Sequence, residues 1–188
     1  MKKYVIILVG LLLTSTGFSK SLGQFPNQML KDISGFKVQT KDLYSKGPIL
    51  VNFWNLACEP CKKEMKYLSE YNKKYGDQGF NVISINIDNT RSMSKVKSFV
   101  KSQKYSFRVL SDPKSVLFRK LGGKIMPYVL FINNDGTIAK KEVGYNPGDE
   151  IKLEKEIIHL IAENKKSLDL KEPKIESKVQ SKVKLQTK

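Results

Sequence analysis

Cysteine and histidine are nearly absent from this chain: its 188 residues include two Cys and one His. Two thiols exclude a scaffold held by several disulfides. His159 on its own excludes a histidine-rich metal centre. Arginine is scarce too, with Arg91, Arg108 and Arg119 the only ones among 34 basic residues. Lysine does not replace the planar arginine fork at bases and phosphates, so the composition argues against nucleic-acid recognition. No apolar run reaches about 18 residues, which excludes a multi-span membrane protein. What is present suffices for one core. Hydrophobic residues make up 40%, with nine Phe and eight Tyr, in a length that suits one domain plus short extras.

The net charge of +16 is spread unevenly. Residues 1–23 hold Lys2, Lys3 and Lys20 with no acid, and residues 165–188 hold eight Lys against Asp169, Glu172 and Glu176. Half of the excess therefore lies outside residues 24–164, the stretch expected to fold. Met1-Lys2-Lys3, the apolar run Tyr4 to Leu13 and the small or polar run Thr14 to Ser19 have the three-part layout of a secretory signal. Cleavage after Ser19 or Gly23 fits, and retention as an N-terminal anchor is the alternative. Either places the rest of the protein outside the cytoplasm, in the periplasm or on the outer face of the membrane, where disulfide chemistry is at home. The Lys-rich segment 165–188 has too few aliphatics to offset its ordering entropy. It reads as a flexible tail, whose sharper use is a weak, salt-sensitive contact with an anionic surface.

Between the ends, strand and helix patterns alternate. Gly47-Pro48 leads into the apolar run Ile49 to Trp54, and Lys62 to Tyr75 places Met65, Leu68 and Tyr71 at helical spacing. Phe80 to Asp88 reads as a second strand, and Ser92 to Gln103 as a helix with Met93, Val96, Phe99 and Val100 on one face. Phe107 to Leu110 is a short strand, and Asp112-Pro113 opens a helix that stops at Gly122-Gly123. Asn133-Asn134-Asp135-Gly136 joins Tyr128–Ile132 to Thr137–Val143 as a hairpin, and Asp149 to Glu163 closes as an amphipathic helix. Helices between successive strands imply parallel crossovers, and the hairpin adds antiparallel strands. The expected architecture is α/β, a mixed central sheet with helices on both faces. Residues 24–46 precede it as short extended pieces turned at Gly35.

Both cysteines sit in Cys58-Glu59-Pro60-Cys61, directly after the first apolar strand and at the opening of a helix. A helix N-terminus offers unpaired N–H groups and partial positive charge, which favour a thiolate. Pro60 fits the first turn at no hydrogen-bonding cost. Such a pair can cycle between dithiol and disulfide. Cys58, at the helix start, is assigned as the nucleophile, and Cys61, one turn in, as the resolving thiol. A fixed structural bridge would stabilise little over so tight a loop. A metal site would need two or more further ligands, and the sequence offers no other Cys and one distant His.

Ile49 to Leu68, ILVNFWNLACEPCKKEMKYL, closely resembles the thioredoxin fold and, within it, the exported TlpA/ResA-like thiol–disulfide oxidoreductases. The likeness runs over residues 24–163: Phe25-Pro26 and Asp32-Ile33-Ser34-Gly35, Trp54, the CEPC motif, Lys62-Lys63-Glu64, Ser84 to Asp88 with an extra inserted helix after it, Met126-Pro127 and the Asn-Asp-Gly hairpin. The resemblance implies a cis proline at Pro127 beside the disulfide, and a functional acid at Glu64 that exchanges a proton with the thiols. Substrate contacts are expected at Trp54, Glu59, Pro60, Met126 and Pro127. Three positions depart from the pattern. Ala57 replaces an aromatic before the first Cys and should flatten that surface; Tyr128 replaces Thr or Ser and should add bulk near the site; Asn52 stands where cytoplasmic thioredoxin has a buried Asp.

The resemblance implies reduction of disulfides in exported proteins, apocytochrome c among them, as part of cell redox homeostasis. Electrons would come from a membrane thiol donor. A monomer without cofactor or metal is expected. A non-catalytic thioredoxin-fold binding protein with a static disulfide is the alternative from another class. A peroxidase is weaker, because no Arg lies near Cys58 in the sequence.

Overall fold

The computed structural model describes residues 22–169. The segment 1–21, with most of the expected export signal, and residues 170–188 of the expected tail lie outside that range. Along the chain run β1 (Met29–Asp32), β2 (Lys37–Gln39), α1 (Thr40–Tyr44), β3 (Ile49–Trp54), α2 (Glu59–Tyr75), β4 (Asn81–Asn86), α3 (Met93–Gln103), β5 (Arg108–Ser111), α4 (Val116–Lys120), β6 (Tyr128–Ile132), β7 (Ile138–Val143) and α5 (Asp149–Asp169). The strands form one seven-stranded sheet in the order β2-β1-β5-β4-β3-β6-β7. Strands β3, β4 and β5 are parallel, and the remaining pairs are antiparallel. This is the mixed sheet of the thioredoxin fold, with an antiparallel β1–β2 hairpin added at one edge and α3 inserted after β4.

Strand β3 lies in the middle and all six of its residues are buried. A strand covered on both faces needs a continuous apolar run rather than alternation, which is what ILVNFW provides. Its side chains still divide by face. Ile49, Val51 and Phe53 join Phe118, Tyr128 and Leu130 in one core, under α1 and α4. Leu50 and Trp54 join Cys61, Met65 and Leu68 of α2, with Val96 of α3 and Ile157 of α5, in the other. Helix α4 is opened by Asp112, whose carboxylate accepts from the amides of Val116 (2.9 Å) and Phe118 (3.0 Å).

Two elements differ from the sequence-based expectation. Helix α1 lies where the sequence suggests extended chain; its five residues are too few for periodicity to register. It is held by tertiary bonds, with Thr40 Oγ1 donating to Pro26 O and accepting from Gln28 N. Helix α5 runs to Asp169, six residues beyond Glu163, so the first residues of the expected tail are helical.

Gly47 brings the start of β3 against the turn before β4. A Cβ there would stand 2.1 Å from the Gly79 carbonyl oxygen, a backbone atom fixed by its own turn. Gly47→Ala is expected to lower the unfolding free energy by roughly 2–3 kcal/mol in urea denaturation. Gly76→Ala, at an open α-helical position, is expected to leave it unchanged or slightly raised.

Candidate active site

The site stands on the loop that leaves β3. Trp54 ends the strand with none of its surface exposed, packed on Phe99 of α3 at a ring separation of 5.5 Å. The next residues are pinned by polar contacts. Leu56 N donates to Asp88 Oδ2 (2.8 Å), Ala57 N to Asn55 Oδ1 (3.1 Å) and Cys58 N to Asn55 O (3.2 Å). Asp88 is held in turn by Asn86, whose Nδ2 donates to the same Oδ2 at 2.8 Å. The loop that presents the first cysteine is thus tied to the end of β4. Sequence reasoning missed Asp88 and Asn55 as positioning residues. Their only signal was two short polar side chains just beyond apolar strands, a pattern that marks turns in general.

Cys58 is the N-cap of α2, and its Sγ accepts from Cys61 N at 3.3 Å. The first carbonyl bond of the helix, Lys62 N to Cys58 O, closes beside it at 3.2 Å. A sulfur in this position faces the unpaired N–H groups of a 17-residue helix, which stabilise negative charge. Cys58 and Cys61 are joined in a disulfide with Cα atoms 5.3 Å apart. Their exposure differs: Cys58 is half-buried and Cys61 wholly buried. Pro60 occupies the first turn. Glu59 is exposed and ion-paired to Lys62 at 2.6 Å. Ala57 is exposed beside Cys58, with only a methyl group as its side chain.

One turn along α2 from Cys61, Glu64 is 3% exposed, and its Oε2 has no hydrogen-bond partner among the described residues. Burial, helped by the negative charges of Glu142 and Asp149, pushes its pKa from 4.5 up to about 8. Glu64 lines a polar cavity of about 230 Å³ together with Lys140, Glu142, Asp149 and Lys152. Across the sheet beneath, the register runs Ser84–Asn52–Val129–Glu142, so the four side chains share one face. Asn52 is fully buried, and neither its amide oxygen nor its nitrogen has a hydrogen-bond partner among the described residues. An amide there brings no second ionisable group, which leaves Glu64 as the buried acid near the sulfurs.

The Met126–Pro127 bond is cis. Pro127 precedes the Phe53–Tyr128 pair in register, so it stands at the level of Trp54, at the sheet end that carries the disulfide. Two expectations are corrected. Tyr128 adds no bulk near the sulfurs: it points to the opposite face of the sheet, packs on Phe53 and Phe118, and donates to Leu121 O at 2.7 Å. Trp54, expected to touch substrate, exposes nothing and acts as the apolar wall behind the motif.

Comparison with known proteins agrees with this geometry. The Redoxin family model matches residues 21–157. A thiol-disulfide oxidoreductase ResA of Bacillus cereus is 32% identical over 126 residues, covering 67% of this chain and 71% of that protein. ResA of Bacillus subtilis (strain 168) is 32% identical over 119 residues, covering 63% and 65%. The solution structure of an uncharacterized thioredoxin-like protein from Porphyromonas gingivalis aligns with TM-score 0.64 at 29% identity, covering 77% of this chain and 95% of that one. With the paired cysteines and the sheet order on which they sit, these likenesses make the chain a thiol–disulfide oxidoreductase, and it belongs to the Redoxin family, in its TlpA/ResA-like branch.

Proposed function

We propose that the protein is exported and reduces disulfides in other exported proteins, apocytochrome c during cytochrome maturation being a fitting substrate, with electrons supplied by a membrane thiol donor. The observation that carries this reading is the asymmetry of the site: a reachable sulfur at the helix start, a buried one behind it, and a buried carboxyl one turn further.

The reaction follows from that order. The Cys58 thiolate attacks one sulfur of the substrate disulfide, which breaks and releases the other as a thiolate. Cys61, wholly buried, resolves the mixed disulfide. Its thiol gives a proton to the Glu64 carboxylate, its sulfur bonds to Cys58 Sγ, and the second substrate thiolate leaves. The substrate has gained two electrons and the enzyme holds its disulfide with Glu64 neutral, the form that burial favours. A donor dithiol returns the two electrons. Its thiolate attacks Cys58 Sγ, and Cys61 leaves as a thiolate and takes the Glu64 proton; the donor's second thiol loses its proton to solvent, its sulfur bonds to the first donor sulfur, and Cys58 leaves as a thiolate. The polar cavity that Glu64 shares with Lys140, Glu142 and Asp149 offers the path by which it exchanges its proton.

Cys58→Ser is expected to lower turnover of a model protein disulfide by about a thousandfold. Cys61→Ser should trap a mixed disulfide detectable by mass spectrometry. Equal activity in wild type and Cys58→Ser would falsify the catalytic reading. Equilibration with glutathione is expected to give a reduction potential below about −200 mV, and a value near −120 mV would reverse the direction.

Glu64 also predicts a pH dependence. Its folded pKa lies above the ordinary value, so between 4.5 and about 8 the folded protein holds more protons than the unfolded chain. Stability from the neutral carboxyl is fully present below that window and is lost as pH rises through it. Thermal unfolding of the oxidised wild type should therefore fall in Tm across the window, and Glu64→Gln should flatten the slope. The same variant should slow the resolving step by about 10- to 100-fold, measured by stopped flow on the mixed disulfide.

A further inference from the structure

A second depression on the described surface lies away from the cysteines. It is an open groove of about 640 Å³ between the β1 strand, the N-terminal half of α3 and the loop from β5 to α4. Its apolar lining comes from Met29, Ile33, Met93 and Val116. Met29 and Val116 are about half exposed, at 55% and 50%, which is costly surface for a monomer to leave in water.

The charge around the groove is one-sided. Lys31, Lys37, Lys97 and Lys114 line it, all are exposed, and none has an ion-pair partner among the described residues. The two acids in the lining are engaged elsewhere. Asp32 accepts from the amides of Ser34 and Phe36 and faces Arg108, and the Asp112 carboxylate caps α4. The groove therefore combines an apolar lining with four lysines that have no ion-pair partner among the described residues.

The groove opens at the same sheet end as the disulfide. Strands β3, β4 and β5 are parallel, so the loops that leave them lie side by side, and Ile87 N to Trp54 O and Asp112 N to Asn86 O tie each to the next. Helix α3 contributes Met93 to the groove and Phe99 to the wall behind Cys61.

The geometry points to a docking groove for an extended, acid-flanked apolar segment of the protein whose disulfide is exchanged, with the apolar side chains on Met29, Met93 and Val116 and the flanking carboxylates on the lysines. The assignment of the segment to a substrate rests on the oxidoreductase reading above; the groove's preference for acid-flanked apolar peptide does not. Charge complementarity selects this occupant over the chain's own ends, since residues 1–21 carry three lysines and no acid and residues 170–188 are predominantly basic. The open side suits a polypeptide crossing the surface better than an enclosed acyl chain.

The test uses the full chain and a fluorescein-labelled octapeptide with four central apolar residues and two acids at each end. Fluorescence anisotropy is expected to show binding that weakens with salt, and about tenfold weaker binding of a lysine-flanked counterpart. Lys31→Glu combined with Lys97→Glu, and separately Val116→Glu, alter exposed positions; each should weaken the acidic peptide by about tenfold. With an internal disulfide in the peptide, both variants should raise KM about tenfold at unchanged kcat, and turnover of a small aromatic disulfide should stay at the wild-type rate. Equal binding of the two peptides, unchanged binding by both variants, or full displacement by palmitate would overturn the groove assignment. Peptide binding without turnover of either disulfide by the wild type would instead overturn the oxidoreductase reading and leave the groove standing.

Discussion

Helix α2 is seated on the sheet through Cys61, Glu64, Met65 and Leu68, and the seat is dry on nearly every side. The wall is Trp54 and Leu50 from β3, Val129 and Phe131 from β6, and Ile157 from α5. An apolar seat fixes where the helix begins to within a side chain, because close-packed interiors leave few alternatives. The price is a carboxyl group carried out of water with the rest. Ionising it there costs more than in water, so it stays neutral at pH values where a surface glutamate would be charged. The position of the sulfurs and the protonation state beside them thus come from a single packing decision.

The loop before the helix is fixed by different means. It is short, polar and partly exposed, and apolar packing gives it little purchase. Asp88 and Asn55 do the fastening instead, each accepting a backbone amide from the segment that carries Cys58. Cys58 is therefore reachable without being loose, and a thiolate forming there meets N–H groups already aimed at it.

The patterns legible in the sequence were those with a local cause. The buried strand, the amphipathic helix, the CEPC motif at their junction and the Asn-Asp-Gly turn each show in a few consecutive residues. The burial of Glu64 was nearly legible. It lies between Cys61 and Leu68 at helical spacing, on the stripe that faces the sheet, but the lysines at 62, 63 and 66 make the segment look solvated. Tyr128 was misread because alternation tells that neighbours on a strand face opposite ways and does not tell which way faces the sulfurs; the pairing of β6 with β3 decides that. The pinning of the loop by Asp88, across 32 residues, and the groove, made by elements far apart in the chain, have no local signature at all.

The sheet's two margins bear on how this protein behaves in company. An open strand edge is a row of unpaired amides and carbonyls, a template on which another chain can grow. At one margin β2 is three residues long and opens with Lys37. At the other, the start of β7's ladder is already taken by the chain's own Leu22 to Gln24, which bond Ile138 and bridge Thr137. Lys140, Lys141 and Glu142 follow it with charge. A thiol–disulfide oxidoreductase built this way offers the protein chains it acts on no long free ladder along which to pair.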